Sequence, residues 1–101
     1  MSISSELSDD KKQLTIKVEG RFDFSTLQSF KDAYDSIDPP PEAYIIDLKN
    51  SDYLDSSALG MLLALRDYAG SEKANIRIIN CNAEVKKILL VTKLDDLFKV
   101  E

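Results

Sequence analysis

A short apolar run that leads into a helical segment constrains the fold of this chain more than any other feature. Residues 44–48 are almost continuously apolar, which is typical of a strand covered on both faces of a sheet. A polar connection spans residues 49–54, and Ala and Leu then dominate a helical pattern over residues 58–68. A strand followed by a helix favours a sheet in which some strands pair in parallel.

The remaining patterns alternate between strand and helix. Apolar residues at Leu14, Ile16 and Val18 alternate with polar ones, and the short link to residues 3–7 predicts a hairpin between two strands. Further strands are predicted at 75–80 and 97–100, and further helices after Asp23 or Ser25 and over 83–91. We therefore predict one α/β domain over residues 1–101, with a mixed sheet of four to five strands and three to four α-helices.

The helix over residues 58–68 has two sides of different character. At about 100° per residue, one side is predicted to face the core: Ala58, Leu59, Leu62, Leu63, Leu65 and Ala69. The other side is small and apolar, and includes Ser57, Gly60, Met61, Ala64, Asp67 and Tyr68. Because Gly weakens a helix by about 1 kcal/mol relative to Ala, this side predicts a partner that approaches closely. Packing against another part of the same chain is the alternative interpretation.

The start of this helix brings together a carboxylate and two hydroxyl groups, Asp55, Ser56 and Ser57. The first N–H groups of a helix have no internal partner and carry partial positive charge. Asp and Ser are the residues that cap such ends, and a phosphate group is stabilised there as well. The pattern therefore indicates either plain capping or a serine placed for phosphorylation.

Composition excludes several classes of function. Residues 22–67 contain nine acidic side chains against three basic ones, so nucleic acid is not an expected partner. The chain has no histidine, which rules out Ser-His-Asp and Cys-His catalysis, and we predict no catalytic residue and no enzyme. The lone Cys81 excludes a cysteine-based zinc site, and the three glycines lie too far apart for a nucleotide-binding loop. We therefore expect no metal and no cofactor.

The same sequence contains no run of about 18 apolar residues and no signal-peptide pattern at its start. A free cysteine fits a reducing compartment, so a cytoplasmic location without membrane insertion is expected. An aspartyl phosphate on Asp47, as in receiver domains, is a weaker alternative because residues after Asp10 have a strand pattern instead of a helical one.

The motif at residues 55–60, Asp-Ser-Ser-Ala-Leu-Gly, resembles the Asp-Ser-Ser-Gly-Leu-Gly signature of STAS domains of the anti-sigma factor antagonist type. Residues 18–23, 45–48, 78–80 and 85–89 resemble the strands and later helix of the same family, so the resemblance covers nearly the whole chain. Ala58 stands where that family usually has glycine, which changes how closely a partner approaches.

The resemblance implies a specific function. Ser56 maps to the phosphorylated serine, with Ser57 the second choice, and Asp55 and Asp23 map to the neighbouring aspartates. It implies an anti-sigma factor with serine kinase activity as partner, bound by the unphosphorylated form so that a sigma factor is released. A metal-dependent serine phosphatase would reverse the modification. The alternative is an accessory subunit of a lipid ABC transporter or a sensory complex, without a serine switch.

Overall fold

The computed structural model describes residues 3–101, so Met1 and Ser2 of the predicted domain lie outside the described residues. The described part of the chain has five strands and three α-helices. The strands are β1 (Ile3–Leu7), β2 (Gln13–Phe22), β3 (Ala43–Leu54), β4 (Ile76–Ile79) and β5 (Lys99–Val100). The helices are α1 (Leu27–Asp35), α2 (Ser56–Tyr68) and α3 (Ala83–Val91), with short 3-10 turns at Phe24–Thr26, Ser71–Lys73 and Leu94–Asp96. The predicted mixed α/β sheet is confirmed.

The strands lie in the sheet in the same order as in the chain, from β1 to β5. The predicted hairpin is present, since β1 and β2 are antiparallel with Ile3 opposite Val18 and Leu7 opposite Leu14. All later neighbours are parallel, and each is reached through a crossover that contains a helix. The carboxyl ends of β2 and β3 therefore meet at one edge of the sheet.

The strand β3 is longer than the sequence indicates. Residues 49–54, interpreted above as a polar connection, continue the strand up to Leu54. They pair with the second half of β2, with Gly20 opposite Ser51 and Phe22 opposite Leu54, and two register shifts interrupt the ladder. The Ser51 hydroxyl donates a hydrogen bond to the Gly20 carbonyl oxygen at 3.1 Å, which supplies a polar contact where the apolar pattern stops. The polar composition was therefore misleading.

The core lies on one face of the sheet. The buried side chains of β2, β3 and β4 alternate with exposed or half-buried ones and form a single cluster with the buried residues of the three helices. Aromatic contacts extend this cluster between Phe22, Phe30 and Tyr34, with ring centroids 5.2 and 5.8 Å apart. On the opposite face, Ile45 is 9% exposed and its strand neighbours are Thr15 and Arg77, so that face is mostly polar.

The orientation of α2 differs from the sequence-based prediction. Met61, predicted to face a partner, is only 5% exposed and belongs to the core, whereas Leu63, predicted to be core, is 41% exposed. Leu59 is half-buried. The buried arc is centred near Ala58, Leu62 and Leu65, so it is rotated about the helix axis relative to the predicted arc. A helix in which nearly every side chain is apolar does not by itself show which side is buried.

An ion pair between Arg77 of β4 and Glu101, the residue after β5, links the last strand to the sheet. The Arg77 guanidinium donates two hydrogen bonds to the Glu101 carboxylate, at 2.9 and 2.8 Å. This contact lowers the pKa of Glu101 below its ordinary value, chiefly through the hydrogen bonds and then through the charge of Arg77. A depressed carboxyl pKa stabilises the fold above the pKa of the unfolded chain and loses that effect as the pH falls.

We therefore expect Glu101→Gln to lower stability slightly near neutral pH and to have no effect once the carboxylate of the native chain is protonated. The difference in melting temperature between the two proteins should shrink from pH 7 towards pH 3, below the ordinary glutamate pKa of 4.5. Thermal denaturation followed by circular dichroism across this range measures it. A difference that stays constant with pH would show that the pair is not the cause.

Candidate functional site

The residues predicted to surround the phosphorylation site are Asp23, Asp55, Ser56 and Ser57, and we call them the corner. They lie where β2 and β3 end side by side. Phe22 and Leu54 are paired at the ends of the two strands, and the Asp55 N–H group donates to the Phe22 carbonyl oxygen at 3.4 Å. Asp23 and Asp55 are the residues that directly follow these strand ends. The sheet therefore brings the two aspartates of the sequence motif to the same edge, beside the start of α2.

Asp55 is the capping residue of α2. Its backbone is extended, and its carboxylate accepts a hydrogen bond from the Ala58 N–H group at 3.0 Å. This is the contact that an N-cap side chain makes with the third helical residue, so the helix start predicted from the sequence is confirmed. The cap fixes where α2 begins, with Ser56 as its first residue.

The two serines differ in their access to solvent. Ser56 is the first residue of α2 and is exposed, whereas Ser57 is half-buried and lies against the neighbouring helix region. A hydroxyl that enters the active site of another protein must first be reachable from solvent. The exposure of the two side chains thus favours Ser56 over Ser57 as the acceptor of a phosphoryl group.

Asp23 is held in place by a local network of hydrogen bonds. Its carboxylate accepts hydrogen bonds from the Ser25 N–H group at 3.0 Å and from the Ser25 hydroxyl. Asp23 thereby caps the 3-10 turn. The Ser25 hydroxyl, followed by the Ser25 N–H group and Arg21, keeps the pKa of Asp23 below its ordinary value despite partial desolvation. Asp23 is therefore a fixed negative charge beside the corner at neutral pH.

Arg21 was not singled out by the sequence. Its guanidinium lies 3.4 Å from the Asp23 carboxylate and 4.1 Å above the centre of the Tyr53 ring. Arg21 and Tyr53 are exposed and Asp23 is half-buried, so water reaches both contacts and each contributes little to stability. They nevertheless place the Arg21 cation against Asp23. A Gly-Arg-Phe-Asp order at the end of a strand is the signal that could have identified it.

Replacing the cap tests how strongly the corner depends on Asp55. We expect Asp55→Ala to destabilise the fold by about 1 kcal/mol, because the Ala58 N–H group loses its acceptor. For a domain of this size that loss corresponds to a melting temperature lower by about 4–8 °C. Asp55→Asn should retain most of the stability, and an equal loss in both variants would rule out capping as the reason.

A narrow apolar cleft opens next to the corner. It lies between α2 on one side and the 3-10 turn Phe24–Thr26 with α1 on the other. Its volume is about 290 Å³. One wall is formed by Phe24, Leu27, Phe30, Lys31 and Tyr34, and the other by Ser57, Gly60, Met61 and Ala64. Three residues of the predicted partner face, Ser57, Gly60 and Ala64, therefore line one cleft, and the buried Met61 side chain is part of its floor.

Two further features of this cleft were not expected from the sequence. Phe24 is 70% exposed and Leu27 is 38% exposed, which is unusual for residues of their size. Tyr68, another member of the predicted partner face, is 45% exposed and its ring centroid lies 5.1 Å from that of Tyr34 at the far end of the cleft. The sequence gives no indication that α1 and α2 meet along this line.

Comparison with known proteins places this chain in a family. The family model described as "Mlab, STAS domain" matches residues 5–100. The chain belongs to the STAS domain family. It is also 51% identical over 100 residues to a STAS-domain-containing protein of Pseudomonas aeruginosa (strain UCBPP-PA14), an alignment that covers 99% of both chains. The fold and family expected from the motif at residues 55–60 are thus confirmed.

Solved STAS domains have the same fold at low sequence identity. A candidate anti-sigma factor antagonist from Thermotoga maritima superposes with a TM-score of 0.82 at 18% identity, covering 97% of this chain and 84% of the other. The Bacillus cell fate determinant SpoIIAA in its phosphorylated form gives a TM-score of 0.74 at 13% identity, covering 98% and 90%. The structural neighbours of this STAS domain thus include anti-sigma factor antagonists.

The part of the chain that the structure describes contains neither a cluster of metal ligands nor a helix able to span a membrane. Within residues 3–101, histidine, cysteine and acidic side chains nowhere cluster in groups of three or more that could hold a metal ion. Over the same residues, every helix is too short or too polar to cross a bilayer.

Proposed function

We propose that this STAS domain is an anti-sigma factor antagonist whose binding is switched by phosphorylation of Ser56. The unphosphorylated form binds an anti-sigma factor with serine kinase activity and thereby releases a sigma factor or another output protein. A metal-dependent serine phosphatase restores the unphosphorylated form. The observation that carries this proposal is the exposed Ser56 side chain at the first position of a capped helix, beside two aspartates.

The physical effect of the phosphate follows from the charges around Ser56. A seryl phosphate adds about −1.5 to −2 charges at neutral pH. The start of α2 stabilises this charge, whereas the fixed carboxylate of Asp23 and the cap Asp55 repel it. The fold is therefore retained, but a partner that covers the corner must desolvate an unpaired dianion, which costs several kcal/mol.

The proposed contact surface combines the corner with the exposed side of α2. It contains Asp23, Asp55 and Ser57 at the corner and Gly60, Ala64 and Tyr68 along the helix. Met61 contributes from below, because its side chain lies in the floor of the cleft and is 5% exposed. The kinase-type partner supplies the nucleotide and its metal, so this chain itself needs no catalytic residue and no cofactor. The expected cytoplasmic location stays a prediction.

Phosphate mapping together with partner recovery tests this function. We expect mass spectrometry of the protein from its native cells to find an acid-stable phosphate on Ser56, and a pull-down with Ser56→Ala to recover a kinase-type anti-sigma factor. Absence of phosphate on Ser56 under all growth conditions, together with recovery of no such factor, would contradict the proposal.

An accessory subunit without a serine switch is the second candidate. The exposed apolar cleft is the observation that supports it, since Phe24, Leu27 and Ala64 offer a partner apolar contacts in a lining that does not include Ser56. Recovery of an ABC-type ATPase, with equal yield from Ser56→Ala and Ser56→Glu, would support this candidate over the phosphorylation switch.

A further inference from the structure

No tertiary contact of the fold requires the space that Gly60 leaves in the cleft between α1 and α2. Apart from its chain neighbours and the backbone of its own helix, a Cβ atom built on Gly60 would meet no atom within 4 Å, so no tertiary contact needs glycine at this position. Gly60 also has no left-handed backbone, since the positive φ angles of the described residues lie elsewhere. Glycine therefore weakens α2 here with no internal gain, and its effect is to leave space at the surface.

The walls of this space are apolar and accessible. Phe24 and Leu27 expose 70% and 38% of their surface, and Ala64, one turn after Gly60, is exposed. A volume of about 290 Å³ is enough for one or two large side chains of another molecule. The buried Met61 side chain below them is flexible and polarisable, and such a floor adapts to different occupants.

The charges around the cleft indicate what occupies it. At the end where the Tyr34 and Tyr68 rings meet, each tyrosine is followed or preceded in the sequence by an exposed aspartate, Asp35 and Asp67. The Asp67 carboxylate accepts a hydrogen bond from the Ser71 hydroxyl at 3.0 Å. Lys31 is the single basic side chain in the lining formed by the described residues. At the other end Asp23 is paired with Arg21. Three acidic side chains therefore stand against two basic ones around the cleft, which leaves an acidic excess of one. Two copies of this chain, each with a net charge of −5, would repel one another across this face.

We propose that the cleft binds an amphipathic helix of the partner, with one large apolar side chain above Gly60 and basic residues facing Asp35 and Asp67. This inference rests on the proposed function and specifies the chemistry of its partner. The helix lies along α2, so that its uncharged part covers Ser57 and reaches Ser56, while its basic end lies beyond Ala64.

This orientation is compatible with inhibition by the phosphate. Ser56 and Asp67 are eleven residues apart on α2, which corresponds to about 16 Å along the helix axis. That separation exceeds the Debye length of about 8 Å at physiological ionic strength. A phosphate on Ser56 therefore does not attract the basic end of the partner helix, but it faces the apolar part, where desolvation opposes binding.

The test uses the full unphosphorylated chain, labelled with ¹⁵N, and synthetic helical peptides. The reference peptide has one central Phe and Lys residues at one end; one variant replaces Phe with Ala, and another replaces Lys with Glu. We expect the reference peptide to shift the amide resonances of Gly60, Ala64 and Leu27 and to bind at least about tenfold more tightly than either variant, a difference of about 1.4 kcal/mol.

Gly60→Leu fills the cleft, and Ser29→Leu is the matched control because Ser29 is exposed and does not line the cleft. We expect Gly60→Leu to lose peptide binding while its melting temperature rises by about 3–6 °C, since leucine is a better helix former. Ser29→Leu should bind as the wild type does. Loss of binding without loss of stability distinguishes a filled cleft from an unfolded protein.

Three results would overturn this inference. The first is an absence of shifts in cleft residues at millimolar reference peptide, and the second is equal binding by Gly60→Leu. The third is a different occupant: decanoate that shifts the same resonances while no peptide does, or concentration-dependent dimerisation that Gly60→Leu abolishes. Because no kinase is used, a negative result here leaves the phosphorylation of Ser56 to be judged by its own measurement.

Discussion

Ser56→Glu is expected to raise the dissociation constant of the complex with the anti-sigma partner by about 100-fold or more. The reason is that the partner must desolvate an unpaired charge at the start of α2, next to the fixed carboxylate of Asp23, at a cost of about 3 kcal/mol. Ser56→Ala should bind within about threefold of the wild type, because it removes an exposed hydroxyl and adds no charge. Isothermal titration calorimetry with the recovered partner measures both.

The neighbouring serine provides the matched control for this experiment. Ser57→Ala should retain phosphorylation by the kinase, whereas Ser56→Ala should lose it completely. All three variants should melt within about 4 °C of the wild type, since substitutions of exposed or half-buried polar residues rarely change stability by more than about 0.5 kcal/mol. Loss of phosphate from Ser57→Ala but not from Ser56→Ala would show that the site has been assigned to the wrong serine.

Met61→Lys is expected to destabilise the fold by about 2–4 kcal/mol, whereas Ala64→Arg should change stability by less than about 0.5 kcal/mol. Met61 is 5% exposed and belongs to the core, so a lysine there must bury its stem and bring its charge out through the cleft. Ala64 is exposed, and an arginine can extend into solvent. Urea denaturation of the two variants measures the difference.

Met61→Lys and Ala64→Arg change the same wall of the cleft, but the first is expected to affect stability and the second to affect partner binding. Ala64→Arg should weaken partner binding by about tenfold or more because its side chain crosses the cleft, although the protein remains folded. Met61→Lys should lower the melting temperature by roughly 10–30 °C. Similar stabilities for the two variants would mean that Met61 is not part of the core, and unchanged binding by Ala64→Arg would exclude this wall from the interface.

The sequence was informative wherever the pattern of one segment is sufficient. Alternation at Leu14, Ile16 and Val18 identified a half-buried strand, and the order of the segments identified a mixed α/β sheet. A capped helix start was predicted at Asp55, Ser56 and Ser57, and the hydrogen bond from the Ala58 N–H group to the Asp55 carboxylate shows that Asp55 is the cap. These features depend on interactions within a few residues, or on periodicity along one element.

The sequence was least informative where the outcome depends on which surfaces meet. Polar residues 49–54 extend β3 because a long partner strand, β2, supplies hydrogen bonds that compensate for their weak strand propensity. The prediction placed Met61 on the exposed side and Leu63 in the core, and the structure shows the opposite. The reason is that α2 is apolar on most sides, so only its contacts with α1 and the sheet decide which side faces inward.

The chain by itself thus determined the family, the order of strands and helices, and a serine at the start of a capped helix, since each depends on local sequence. Only the tertiary structure decided that Ser56 is exposed and Ser57 half-buried, and that α1 and α2 leave an acidic-rimmed apolar cleft beside them. The physical reason is that burial and clefts arise from the packing of distant segments, such as Tyr34 of α1 against Tyr68 of α2, and no pattern within one segment specifies that packing.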